Sequence, residues 1–178
     1  MHRFIAKFTE DGYPLNSDNS IAERLAILVH RKSIKFFSPN SNIKQFANLC
    51  QDLPLRILLA DDSPVDINIA LCILRYLGYE PDVVFNGVEL LKTLRKQNYD
   101  LVITDVKMPN MGGVEATRKI CQEWKPQERP YIIALTSENE PEDWERCLHA
   151  GMNTHIPKPL EIHKFIEALM SCSVKSYY

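Results

Sequence analysis

The sequence predicts an α/β fold: a three-layer sandwich built on a five-stranded parallel sheet, preceded by an N-terminal helical extension. Two observations carry that expectation. From Pro54 onward, short apolar runs of β-rich composition recur at 56–60, 81–85, 100–104, 131–135 and 154–156. A stretch of helical length follows each, at 63–77, 87–97, 113–124, 141–150 and 160–170. Strands that are apolar on both faces and alternate with helices form parallel sheets covered on both sides, joined by right-handed crossovers. In such sheets the working site lies beyond the carboxyl ends of the strands.

The elements follow from local signals. Residues 1–53 carry scattered charge, a turn signal at Gly12-Tyr13-Pro14 and a loop signal at Ser38-Pro39-Asn40-Ser41-Asn42. Asp18-Asn19-Ser20 offers caps before Ile21, Leu25, Leu28 and Val29, and Ile43, Phe46, Ala47 and Cys50 form a second apolar face. Two short helices are expected there, packing on the neighbouring domain or a second subunit. Ser63 caps the first domain helix, with Pro64 in its first turn and Gly78 as its stop, and Gly151 stops the fourth. The expected organisation is an extension of unknown role at 1–53, one domain at 54–171 and a short tail at 172–178.

With 45% hydrophobic and 25% charged residues and a formal net charge of -2, the composition is that of a soluble globular protein without a basic field for nucleic acid. No helix-turn-helix module follows the domain. The basic residues Arg24, Arg31, Lys32, Lys35 and Lys44 are diluted by Glu23 and others. The cysteines Cys50, Cys72, Cys121, Cys147 and Cys172 form no C-x-x-C pair and read as reduced thiols, with Cys72 and Cys121 as small core residues. Met1-His2-Arg3-Phe4 opens no signal-peptide stretch, and no run approaches the ~18 apolar residues of a spanning helix. A cytoplasmic location with no membrane partner is expected. Trp124 and Trp144 read as packing residues.

The strand ends collect polar groups: Asp61 and Asp62 after the first run, Asp105 after the third, Thr136 and Ser137 after the fourth, and Lys158 after the fifth. Three clustered carboxylates do not all stay ionised cheaply without a cation, and hard oxygen ligands beside a phosphoryl site suit Mg²⁺. A carboxylate can then act as nucleophile while a lysine and a hydroxyl hold the remaining phosphoryl oxygens.

The segments Arg56-Ile-Leu-Leu-Ala-Asp-Asp62-Ser-Pro, Asp100-Leu-Val-Ile-Thr-Asp105-Val-Lys-Met-Pro109-Asn-Met-Gly-Gly113, Ala134-Leu-Thr136 and Lys158-Pro159 resemble the receiver domain of response regulators in two-component systems, from about Leu55 to Met170. Cys147-Leu-His-Ala-Gly-Met152 and Pro64 are most similar to receivers of hybrid sensor histidine kinases. The resemblance implies a flavodoxin-like fold of strand order 2-1-3-4-5 and phosphotransfer from a phosphohistidine of a kinase or histidine phosphotransfer domain. It implies Asp105 as phosphoacceptor, with Mg²⁺ held by Asp62 directly, by Asp61 through water, by Asp105 and by the backbone carbonyl of Lys107. Thr136 would bond a phosphoryl oxygen and move inward on activation, and Lys158 would pair with the phosphate next to a cis Lys158-Pro159 bond. Residues 141–170 would form the phosphorylation-sensitive surface, contacting a downstream protein or a second copy of the chain.

His155 stands where receivers commonly carry a Tyr or Phe that rotates as Thr136 moves, which puts that aromatic coupling in doubt. Lys107 and Glu138 are expected to pair across the mouth of the site and slow hydrolysis, although an exposed pair is worth only about 0–1 kcal/mol. Competing readings are the carboxy-terminal receiver of a longer hybrid histidine kinase, and a phosphorylation-independent receiver serving as an interaction module. As a phosphoacceptor switch the chain is expected to be no enzyme beyond self-catalysed phosphoryl transfer and hydrolysis.

Overall fold

A computed structural model of the chain describes residues 7–8, 14–15, 43–137 and 141–172. Five parallel strands, β1 (Ile57–Ala60), β2 (Asp82–Val84), β3 (Leu101–Asp105), β4 (Tyr131–Ser137) and β5 (Thr154–Lys158), lie in the order β2-β1-β3-β4-β5. Five helices, α1 (Pro64–Tyr76), α2 (Gly87–Leu94), α3 (Gly113–Glu123), α4 (Pro141–Ala150) and α5 (Ile162–Cys172), alternate with them. The sheet order is the one expected. Two-residue strands, Lys7–Phe8 and Pro14–Leu15, form a separate antiparallel pair.

The period of two along each strand builds the layers. Ile57, Leu59, Leu101, Ile103, Ile133, Leu135 and Ile156 face Ile67, Ala70 and Leu74 of α1 and Phe165, Ile166 and Leu169 of α5. Their neighbours Leu58, Ala60, Val102, Ile132 and Ala134 face Leu90 of α2, Val114 and Ile120 of α3, and Cys147 of α4. Leu58, Leu59, Leu74, Leu90, Leu101 and Ile103 are fully buried, each such side chain contributing roughly 1.5–3 kcal/mol.

Three strands run further than the sequence suggests. β3 takes in Asp105, paired with Leu135, and β4 and β5 extend through Thr136–Pro157 and Ser137–Lys158 pairs. Polar residues hold the ladder there because the parallel pairing uses only their backbone groups. Asp105, Thr136 and Lys158 are thus held by strand backbone, while Asp61 and Asp62 follow β1.

The core also begins upstream of the expected break at residue 54. Phe46, Leu49 and Leu53 are buried, and Cys50 N–H donates to the Leu77 carbonyl at 3.1 Å. Tyr79 Oη donates to the Leu53 carbonyl at 2.7 Å. The second extension helix is therefore a 3-10 turn at Ile43–Phe46 followed by one helical turn at Leu49–Asp52. The first, with Ile21, Leu25, Leu28 and Val29, lies outside the described residues.

Cys72 corrects an expectation. It is exposed, because α1 turns Ile67, Ala70 and Leu74 to the core and places Cys72 with Val65, Ile69 and Tyr76 on the outer side. The other four cysteines are partly or fully buried, and all five are free thiols. Trp124 and Trp144 pack, half-buried, against the second core layer. Among the described residues no helix is long and apolar enough to cross a membrane.

Candidate functional site

The site sits where β1, β3, β4 and β5 end. Asp61 immediately follows β1 and is fully buried. Its Oδ1 accepts the Ser63 N–H at 2.8 Å, which fixes the carboxylate at the start of α1. Asp62, the next residue, is exposed, and Asp105 closes β3 with its side chain 15% exposed. Oxygens of Asp61, Asp62 and Asp105 all lie within 4.8 Å of one another.

Lys158 reaches this cluster from the end of β5. Its Nζ donates to Asp61 Oδ2 at 3.3 Å and lies 3.3 Å from Asp105 Oδ2. The Lys158–Pro159 peptide is cis. Thr136 is buried one strand away from Lys158, opposite Pro157. Lys107 is exposed, and its backbone N–H hydrogen-bonds the Asp105 carboxylate. Glu138, its expected partner, lies outside the described residues.

A close approach seats the opposite wall. A Cβ on Gly113 would stand 2.2 Å from the Asp105 carbonyl oxygen and 2.7 Å from Thr104 Oγ1, so only glycine lets α3 start against the end of β3.

Electrostatics mark the same groups. Burial raises the Asp61 carboxyl above the ordinary carboxylate range against the lowering pull of the Ser63 N–H and Lys158. Burial likewise raises Asp105, opposed by Lys158 and assisted by the charge of Asp61. For Lys158, burial pulls the ammonium down, yet the hydrogen bond to Asp66 and the charges of Asp105, Asp61 and Asp66 outweigh it and leave it above its ordinary value. Three hard oxygen donors with one buried and two more open members fit a small divalent cation that keeps part of its water.

A stability prediction follows from these shifts. The folded state binds protons to Asp61 and Asp105 more tightly than the unfolded chain does. Metal-free stability therefore falls as pH rises from 3.8 through the raised values, and a cation that needs both carboxylates ionised restores it. Thermal melts should show Mg²⁺ raising Tm near neutral pH, by about 2.7 kcal/mol of stability at a hundredfold excess over its Kd, and doing little at about pH 4. An equal shift at both pH values would remove the carboxylates as ligands.

His155 is half-buried, and its ring centroid lies 4.4 Å from that of Trp144 of α4. Burial, and secondarily Lys164, lowers its pKa. It is a packed residue rather than a free surface histidine.

Sequence reasoning missed Asp66. This α1 residue accepts a hydrogen bond from Lys158 Nζ at 2.8 Å, the shortest contact that ammonium makes in the cluster. Its linear signal does not set it apart, because an acid three residues after a serine cap is ordinary helix capping.

The response regulator receiver domain family model matches residues 57–170, and the chain belongs to that family. It therefore carries the receiver module of two-component phosphorelay signalling. It is 40% identical over 108 residues to the sensor protein EvgS of Escherichia coli K12, covering 61% of this chain and 9% of that protein. It is 32% identical over 141 residues to histidine kinase 5 of Arabidopsis thaliana, covering 64% of this chain and 15% of that protein. The chain thus spans a small part of the curated relatives it matches. The receiver domain of sensor histidine kinase PA1611 from Pseudomonas aeruginosa, solved with magnesium in its active-site cleft, superposes with a TM-score of 0.61 at 33% identity, covering 67% of this chain and 98% of that one. The receiver domain of Ssk1, solved with the histidine phosphotransfer protein Ypd1 of Saccharomyces cerevisiae, shares the fold at 21% identity and a TM-score of 0.61, over 70% of this chain and 92% of that one.

Proposed function

We propose that this chain accepts a phosphoryl group on Asp105 and works as a phosphorelay switch. The observation that carries the reading is the convergence of Asp61, Asp62 and Asp105 with Lys158 at the carboxyl ends of the strands. An Asp105 oxygen attacks the phosphorus of a phosphohistidine, the P–N bond breaks, and its electron pair returns to the imidazole nitrogen. Lys158 and Thr136 donate to phosphoryl oxygens, holding charge that grows during transfer. Asp61, Asp62, Asp105 and the Lys107 carbonyl would hold Mg²⁺, which when bound neutralises charge on the transferring group. Water later attacks the acyl phosphate, so the chain is a self-catalysed acceptor and not a turnover enzyme on a separate substrate. The domain proposed for this role covers 54–171, with residues 141–170 as its output surface.

The test uses a small-molecule donor. With acetyl phosphate, intact mass should show one phosphoryl adduct that forms with Mg²⁺ and fails to form in EDTA. A folded, cation-binding protein that gains no adduct would overturn the reading.

The donor is proposed to be a phosphohistidine-bearing helical domain. α1 begins two residues after Asp62 and exposes Val65 (65%), Ile69 (39%) and Tyr76 (42%), spaced 4 and 7 residues apart as on one helix face. Ile69→Glu should slow transfer from a phosphorylated histidine phosphotransfer protein by about tenfold or more, the scale of an interface hot spot, and leave acetyl phosphate labelling unchanged. Equal loss with both donors would place the defect in the site itself.

A second reading has one observation in its favour: the matched relatives include histidine kinases of which this chain spans 9% and 15%. On that reading the receiver belongs to a longer hybrid kinase, which an immunoblot of the native protein against a size standard would reveal.

A further inference from the structure

We propose that Asp66 is a positioning residue that holds Lys158 in the unmodified state and competes with the phosphoryl group for it. This inference rests on the phosphoacceptor reading and deepens it.

Local structure supplies the first argument. Ser63 caps α1, its Oγ accepting the Asp66 N–H at 3.3 Å, so Asp66 occupies the position from which an acid normally reaches back to the N–H of the capping residue. That N–H is already taken, donating to Asp61 Oδ1 at 2.8 Å. The Asp66 carboxylate is released from its capping duty and turns to Lys158, 92 residues away, at 2.8 Å.

Stoichiometry supplies the second. A lysine ammonium has three protons. Lys158 Nζ has three carboxylate neighbours, Asp66 at 2.8 Å and Asp61 and Asp105 at 3.3 Å each. Its shortest contact is to the one carboxylate of the three outside the Asp61, Asp62 and Asp105 group. A phosphoryl group on Asp105 replaces that carboxylate with several anionic oxygens, and Lys158 can turn more than one donor to them only by loosening its hold on Asp61 or Asp66. Asp61 is fully buried and tied to Ser63, whereas the Asp66 side chain is 26% exposed and can hydrate, so Asp66 is the partner given up.

A contact present only in the unmodified state biases the equilibrium toward that state.

The experiment compares wild type, Asp66→Asn and Asp66→Glu for binding of Mg²⁺ and of beryllofluoride, a non-covalent phosphoryl mimic, by calorimetry. The ammonium resonance of Lys158 is followed by NMR in parallel. Asn keeps the size and one acceptor oxygen but removes the charge. The expected result is that Asp66→Asn binds beryllofluoride about threefold to tenfold more tightly, with Mg²⁺ affinity changed less than about twofold. Asp66→Glu, which restores the charge, should return close to wild type, and the Lys158 resonance of Asp66→Asn should already be displaced before the mimic is added. Equal or weaker mimic binding by Asp66→Asn overturns the competition. Failure of all three proteins to bind the mimic while binding Mg²⁺ would instead remove the phosphoacceptor reading beneath it.

Discussion

Asp105→Asn should abolish phosphoryl incorporation, by at least about a thousandfold, or ~4 kcal/mol of barrier. The amide retains the size of the carboxylate but lacks the anionic oxygen that attacks phosphorus. The protein should still fold, because Asp105 is raised by burial and by the charge of Asp61, so losing its charge relieves both effects. Stability at neutral pH should therefore equal or exceed that of wild type. Intact mass after acetyl phosphate treatment reads the first effect, and thermal melts read the second. An undiminished adduct on Asp105→Asn would move the acceptor to Asp61 or Asp62, its nearest carboxylate neighbours.

Lys158→Ala should damage stability and transfer together. Its Nζ serves three carboxylates, one of them fully buried, and its own side chain is 21% exposed. Removing the cation leaves Asp61 charged and uncompensated in the interior, a loss of about 3 kcal/mol at neutral pH. The sign with pH is fixed by proton binding. Without Lys158 the carboxyl pKa values rise further, so the deficit is largest above them and shrinks as pH falls through them, where Asp61 is protonated. Urea melts at about pH 7.5 and about pH 4.5 give the comparison, and Mg²⁺ should restore part of the deficit at the higher pH. A deficit independent of pH would mean that packing of the lysine stem, not its charge, is what the fold uses.

Much of the candidate site is legible in the sequence. Asp61, Asp62, Asp105, Thr136 and Lys158 each stand at the end of an apolar run, and parallel strands with right-handed crossovers bring such ends to one edge. Strand existence was equally plain, because β1, β3 and β4 are buried on both faces and read as continuous apolar runs. Strand ends were less legible: the pattern stopped at Thr104 and Ile156, while backbone pairing carried β3 to Asp105 and β5 to Lys158. Cys72 was misjudged because α1 packs one face only, and which face is a property of the sheet beneath it.

The sequence by itself determined the layered α/β architecture, the order of its elements and the set of polar residues at one edge, since hydrophobic periodicity and turn chemistry are local quantities. Tertiary structure alone decided that Leu49 and Leu53 belong to the core, that His155 packs on Trp144, and that Asp66 accepts from Lys158 rather than from a capping N–H. Those outcomes depend on distances between residues far apart in the chain, and on competition for single donors, which no linear pattern encodes.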